Sequence, residues 1–186
     1  MEKGLVDEEL IDLLLALNEN ENLFTTSSCA GRITIGCNGK NPEDKRGTEH
    51  LLTSHSPISV YDVFKALDGK RCQWLWIKAS HPLLDIGVKD IDLAMKLVSL
   101  AKTAGFKYSG IQPSNCCYRV IVRGSDNIQY PLSGRENGHT IAKVVSHANR
   151  FLLNGKLKLV RFVGLLEDEG IINSLEDTLF YDEELL

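Results

Sequence analysis

Apolar residues along this chain follow two rhythms. Leu10, Leu13, Leu14 and Leu17 recur at the spacing of one helix face, with Asp7 placed to cap the segment and Glu8 and Glu9 suited to its first turn. A second long amphipathic helix is predicted from Asp90 to Ala104 on Ile91, Ala94, Leu97, Val98 and Ala101, and Gly105 ends it. Between these two, Ser59 with Asp62 three residues on opens a shorter helix that stops near Gly69. From His139 to Leu166 the period is helical again, and that stretch carries Lys143, Arg150, Lys156, Lys158 and Arg161. The period of two marks strands. RITIGC sets Ile33, Ile35 and Cys37 on one side, HLLTSH and CQWLWIKA read as the next two strands, and FKYSGIQP and CCYRVIVRG follow the long helix. In the last of these Arg119, Ile121 and Arg123 share a face opposite Tyr118, Val120 and Val122, so two guanidinium groups project the same way. NIQYPL is predicted to be an edge strand, because Pro131 cannot donate to a central ladder, and NGKNPEDKRGTE reads as a surface loop. Strands joined by short links and interrupted by helices predict an α+β fold. The expectation is a single domain with a mixed, mainly antiparallel curled sheet flanked by helices, spanning residues 1–166, followed by an acidic appendage at 167–186, helical or disordered.

Composition supports one compact domain: 186 residues with 43% hydrophobic content can bury a sizeable core. The longest apolar stretches are short or broken by charge, and the first ten residues are acidic where a signal peptide would be basic, so a soluble cytoplasmic protein without a membrane span is expected. Five cysteines, an odd number without CxxC spacing, predict reduced thiols. The net charge of −4 conceals an uneven distribution. Residues 1–21 hold seven acids against Lys3 alone, and residues 167–186 hold eight acids and no base. The intervening residues 22–166 therefore carry 20 bases and 10 acids, an excess that attracts phosphates or simply forms a solvated surface.

The stretch TTSSCAGRI, Thr25 to Ile33, is the most unusual in the chain. Ser27, Ser28 or Cys29 could act as a nucleophile, but no G-x-S-x-G elbow or family-specific cysteine signature accompanies them. Metal binding has no support either, since His50, His55, His81, His139 and His147 lack ligand spacing. Both G-x-x-x-x-G-K-[ST] and G-x-G-x-x-G are absent, which removes the sequence evidence for a phosphate-loop enzyme or a Rossmann cofactor site. Two readings stay open: a polar cradle for a carboxylate or phosphate, built from hydroxyls, backbone N–H groups and the fork of Arg32, or a well-bonded start to a strand.

VDEELIDLLLALNENENLFTTSSCAGRI, AGFKYSGI, VIVRGSDNIQYPL and VVSHANRFL, in that order, resemble the tRNA wybutosine-synthesising protein 3 family over nearly the whole chain. The resemblance implies an S-adenosylmethionine-dependent methyltransferase without a Rossmann-type methyltransferase fold. Its implied substrate is phenylalanine tRNA carrying a wybutosine precursor, methylated on N4 of the tricyclic base 3′ of the anticodon. On this basis Ser27, Ser28, Cys29, Gly31, Arg32, Lys107, Ser109, Gly110, Arg123 and Asn149 are expected to bind cofactor or substrate, with no metal. His55, at the end of the LLTSH strand, is the expected catalytic histidine. One departure stands out: PLLDI places Asp85 where the family carries a histidine, making Asp85 a second catalytic candidate with His81 nearby. The alternative to an enzyme is a non-catalytic tRNA-binding module of the same fold; a metabolic enzyme acting on a small anionic substrate is a third reading.

Overall fold

The computed structural model describes residues 6–39, 47–70, 72–124 and 127–175. In chain order the elements are a 3₁₀ turn (Glu8–Leu10), α1 (Ile11–Glu19), β1 (Leu23–Cys29), β2 (Arg32–Asn38), β3 (Thr48–Ser54), α2 (Val60–Leu67), β4 (Trp74–Ser80), β5 (Leu83–Val88), α3 (Ile91–Ala104), β6 (Gly110–Pro113), β7 (Tyr118–Arg123), β8 (Asn127–Leu132) and α4 (Gly138–Asp168). The class is α+β as predicted. The strands form two four-stranded antiparallel sheets where one sheet was expected, and the chain groups into two compact units, each holding one of them.

The first unit comprises Met1–Ala30, Pro82–Ser125 and Gly155–Leu186. Its sheet runs β1-β5-β7-β6. Leu84, Ile86 and Val88 of β5 and Val120 and Val122 of β7 are fully buried, joined by Leu10, Leu13 and Leu17 from the N-terminal helical segment and by Leu159, Phe162 and Leu166 of α4. Side chains buried to this degree contribute about 1.5–3 kcal/mol each. Asp90 caps α3 by accepting from the Leu93 amide, and Gly105 closes it at φ 106°, a left-handed position suited to glycine. Asp7 stands at the N-cap position, yet its carboxylate makes no side-chain cap bond; instead it accepts from the Ala30 amide at 2.7 Å. The strand expected over FKYSGIQP shortens to β6, because the Ser109 amide and hydroxyl both donate to the Phe106 carbonyl and turn the chain before Gly110. Lys156, counted among the phosphate-attracting bases, is buried and donates to both oxygens of Glu9. The boundary expected at 166 falls inside α4, and Ile171 and Ile172 beyond it are buried in this core. The rest of the acidic appendage, from residue 176, lies outside the described residues.

The second unit, Gly31–His81 and Asp126–Asn154, holds the sheet β3-β2-β4-β8. As Pro131 predicted, β8 is an edge. Ile33, Ile35, Ile77 and Ala79 pack with Val63 of α2 and with Ile141, Ala148 and Leu152 of α4. The helix α2 starts with the reciprocal bonds of a capping box between Ser59 and Asp62. The loop expected before β3 lies largely outside the described residues. Cys37 and Cys72 are joined by a disulfide, which corrects the expectation of five reduced thiols; Cys29, Cys116 and Cys117 are not disulfide-bonded. Each sheet also seats an aromatic ring on a glycine. Trp76 covers Gly36 here, and Phe24 covers Gly87 in the first unit, so that a Cβ at either glycine would overlap the ring.

Candidate functional site

In the first unit the TTSSC segment is β1 itself, and its ladder with β5 is irregular. Thr25 pairs with Ile86 and Ser28 with Leu84, so Thr26 and Ser27 together oppose Asp85. This is a β-bulge, the device by which a strand re-aims side chains. Both bulged residues are exposed, and Thr26 donates its hydroxyl to the Asp85 carbonyl at 3.3 Å.

Residues directly opposite on neighbouring strands point to the same side. The register therefore assembles three rows on the face turned away from the buried valines: Cys29, Leu83 and Arg123; the bulge, Asp85, Ile121 and Gly110; and Phe24, Gly87, Arg119 and Gln112. Ser27, Cys29, Asp85, Gly110 and Arg123 are thus brought to one face. Ser28 pairs instead with Leu84, and its Oγ is buried without a hydrogen-bond partner among the described residues. Ser109 serves the turn: its hydroxyl donates to Phe106 and accepts from the Arg123 amide at 3.2 Å, fixing the end of β7. Lys107 is exposed on the same turn.

Asp85 is 3% exposed, and both of its carboxylate oxygens accept from Arg119, one from Nε at 3.1 Å and the other from Nη2. These bonds and the charge of Asp85 raise the Arg119 guanidinium above its ordinary pKa. Sequence reasoning missed Arg119 as a partner. It shares a face with Arg123 by period, but its acid lies on β5, a strand the pattern did not reveal.

In the second unit four predicted residues relate to one loop. Gly31 adopts φ 86°, and its carbonyl meets His55 Nδ1 at 2.8 Å. A carbonyl only accepts, so Nδ1 carries the proton and Nε2 is the basic nitrogen of neutral His55. Arg32 is exposed at the start of β2, one step beyond the Ile33–Ser54 pair and so beside His55. Asn149 of α4 clamps the loop three residues after His55: its Oδ1 accepts from the Ile58 amide at 2.9 Å and its Nδ2 donates to the Ile58 carbonyl at 2.8 Å. His81, the other histidine considered, stacks on Phe151 at a ring distance of 4.0 Å.

An α+β chain with two antiparallel four-stranded sheets and no glycine-rich nucleotide loop does not have the Rossmann architecture. More narrowly, the chain belongs to the Methyltransferase TYW3 family, whose model it matches over residues 1–168. It is 38% identical over 182 residues to the Pyrococcus horikoshii tRNA(Phe) 7-((3-amino-3-carboxypropyl)-4-demethylwyosine(37)-N(4))-methyltransferase 1, covering 94% of this chain and 88% of that protein. The enzyme of the same name from Pyrococcus furiosus is 36% identical over 168 residues, covering 87% of this chain and 84% of that protein. Among solved structures, the PH1069 protein from Pyrococcus horikoshii matches at TM-score 0.81 and 36% identity, covering 93% of this chain and 88% of that one. A hypothetical protein from Aeropyrum pernix, at 23% identity, shares the fold at TM-score 0.71, with 90% and 100% of the two chains covered. No helix among the described residues is long and apolar enough to cross a membrane.

Proposed function

We propose that this chain methylates N4 of the 7-(3-amino-3-carboxypropyl)-4-demethylwyosine base at position 37 of tRNA(Phe), with S-adenosylmethionine as methyl donor. The observation that carries the reading is the family match over residues 1–168 together with relatives named for this reaction at 34–38% identity. S-adenosylmethionine, when bound, supplies an activated methyl group for direct displacement by the substrate nitrogen. The outer face of β1 suits such a ligand: Ser27 and Cys29 offer a hydroxyl and a thiol on the side away from the buried valines, whereas Ser28 points with Leu84 to the other face and takes no part. The protein's task is then chiefly positioning and proton transfer.

On this reading Arg32 pairs with a carboxylate or phosphate, which its forked guanidinium suits better than a lysine would. His55 takes the proton from the substrate nitrogen through Nε2, its ring held by the Gly31 carbonyl. Asp85, committed to Arg119 within the first unit's sheet, is not the base. Asn149 steadies the His55 loop and does not itself hold ligand. Lys107, Gly110 and Arg123 remain candidates for contact with the tRNA or the base.

The test is mass spectrometry of tRNA nucleosides after incubation with methyl-labelled S-adenosylmethionine and tRNA(Phe) carrying the precursor. A labelled base with the expected fragment supports the reading, and His55→Gln should lower the single-turnover rate by about 10²-fold or more. tRNA binding without label or cofactor affinity identifies the binding-only module instead. Affinity for the tRNA should fall with salt, less steeply in Lys143→Ala/Arg150→Ala, because each lost phosphate contact lowers the slope by about one.

A further inference from the structure

Two of the three cysteines outside the disulfide are adjacent, and the fold brings their sulfurs into contact. Cys116 and Cys117 lie in the four-residue connection between β6 and β7, bounded by the Pro113–Tyr118 pair and closed by a hydrogen bond from the Ser114 amide to the Cys117 carbonyl at 3.2 Å. On a strand, successive side chains point to opposite faces, and neighbouring thiols diverge. The turn cancels that alternation. Cys116 Sγ and Cys117 Sγ stand 3.4 Å apart, and Ser114 Oγ lies 3.9 Å from Cys116 Sγ.

The two thiols differ in character. Cys116 is exposed, and bonding from Cys117 and Ser114 holds its thiol below the usual cysteine range. Cys117 is half-buried, and the bond to Cys116 and burial push its thiol up, although the Arg119 guanidinium works the other way. A reactive, accessible thiolate beside a second thiol is the arrangement of an attacking and a resolving cysteine.

We propose that Cys116 and Cys117 form a vicinal dithiol that a low-molecular-weight disulfide oxidises reversibly to a disulfide within the turn. The Cys116 thiolate attacks one sulfur of the small disulfide, forming a mixed disulfide and releasing one small thiolate, which takes up a proton. Cys117 loses its proton and displaces the second small thiol from Cys116. The protein pair has lost two electrons and two protons, and the small disulfide has become two thiols. Closure moves the sulfurs from 3.4 Å to a bond of about 2.0 Å. The remaining cysteines do not compete for this product: Cys37 and Cys72 are already joined, and Cys29 sits on β1, the opposite edge of the sheet from β6.

Oxidised glutathione, the intact protein and mass spectrometry of the protein and of its peptides test the proposal. The wild type should lose two hydrogens with no glutathione retained, its three thiols outside the disulfide should become one, and the peptide spanning residues 114–119 should carry the internal link. Cys117→Ser should trap glutathione on Cys116, Cys116→Ser should lose no hydrogens, and Cys29→Ser should behave as wild type. A stable glutathione adduct on wild-type Cys116, a two-hydrogen loss that persists in Cys116→Ser, or preferential reaction at Cys29 would overturn it. None of these readouts depends on methyl transfer.

Discussion

Replacing Arg119 by leucine should unbalance the first sheet by a calculable amount. Asp85 lies in the second strand of β1-β5-β7-β6 with 4% of its side chain exposed, and both carboxylate oxygens accept from the one guanidinium. Stranding a buried charge in this way typically costs about 3–5 kcal/mol. The Arg119 side chain is 42% exposed, so water screens its half of the pair, and about 2–3 kcal/mol is the better expectation. Urea denaturation of wild type, Arg119→Leu, Asp85→Leu and the double variant completes a thermodynamic cycle. The double variant should recover most of the loss, because it strands no charge. An Arg119→Leu cost under about 0.5 kcal/mol, or a double variant no more stable than Arg119→Leu, would refute the pairing argument, since surface changes fall in that range. The same proteins address chemistry. With both oxygens committed to Arg119, Asp85→Asn should leave the single-turnover rate of methyl transfer within a few-fold of wild type, whereas a fall of about 10²-fold would restore Asp85 as the base.

Asn149→Ala removes both bonds to the Ile58 backbone and should cost about 2–3 kcal/mol at roughly 1–1.5 kcal/mol per bond, measurable by denaturation, with kcat falling while substrate KM holds. Gly36→Ala and Gly87→Ala both force a ring aside, for about 1–3 kcal/mol. Gly36→Ala should be the costlier in thermal melts, because Trp76 is tied by its Nε1–H to Asn38 Oδ1 at 2.8 Å, whereas Phe24 is 36% exposed and can swing out. Cys72→Ser opens a loop of sequence separation 35, and loop-closure entropy sets the loss at about 4 kcal/mol at most; melts with and without reductant should converge in the variant and differ in wild type.

The helices were legible because their signals are local. Capping residues at Ser59 and Asp90, the stop at Gly105 and the apolar period through α4 each act within a few residues of where they stand. The strand β5 was not. Leu83 to Val88 combines a continuous apolar run with Asp85 and Gly87, and both exceptions make sense only across the sheet, where Arg119 meets the acid and Phe24 covers the glycine. The second sheet and the Cys37–Cys72 bond escaped for the same reason, since long-range pairing leaves no local trace. Of the site residues, Gly31 and Arg32 were legible together as a polar cradle, His55 could be joined to them only through the family resemblance, and the roles of Asn149 and Ser109 as clamps needed coordinates, because their partners are backbone atoms with no side-chain identity to read.

The bulge in β1 carries one residue more than the ladder with β5 requires. Phe24 opposite Gly87 and Cys29 opposite Leu83 would both survive if a single residue were removed at Thr26 or Ser27, because the ladder would then run without interruption. The sheet would be at least as regular, and the chain would still fold. What would vanish is one of two hydroxyl side chains now crowded against a single partner position. In this segment the length, rather than the choice between serine and threonine, sets how many hydroxyls stand opposite Asp85.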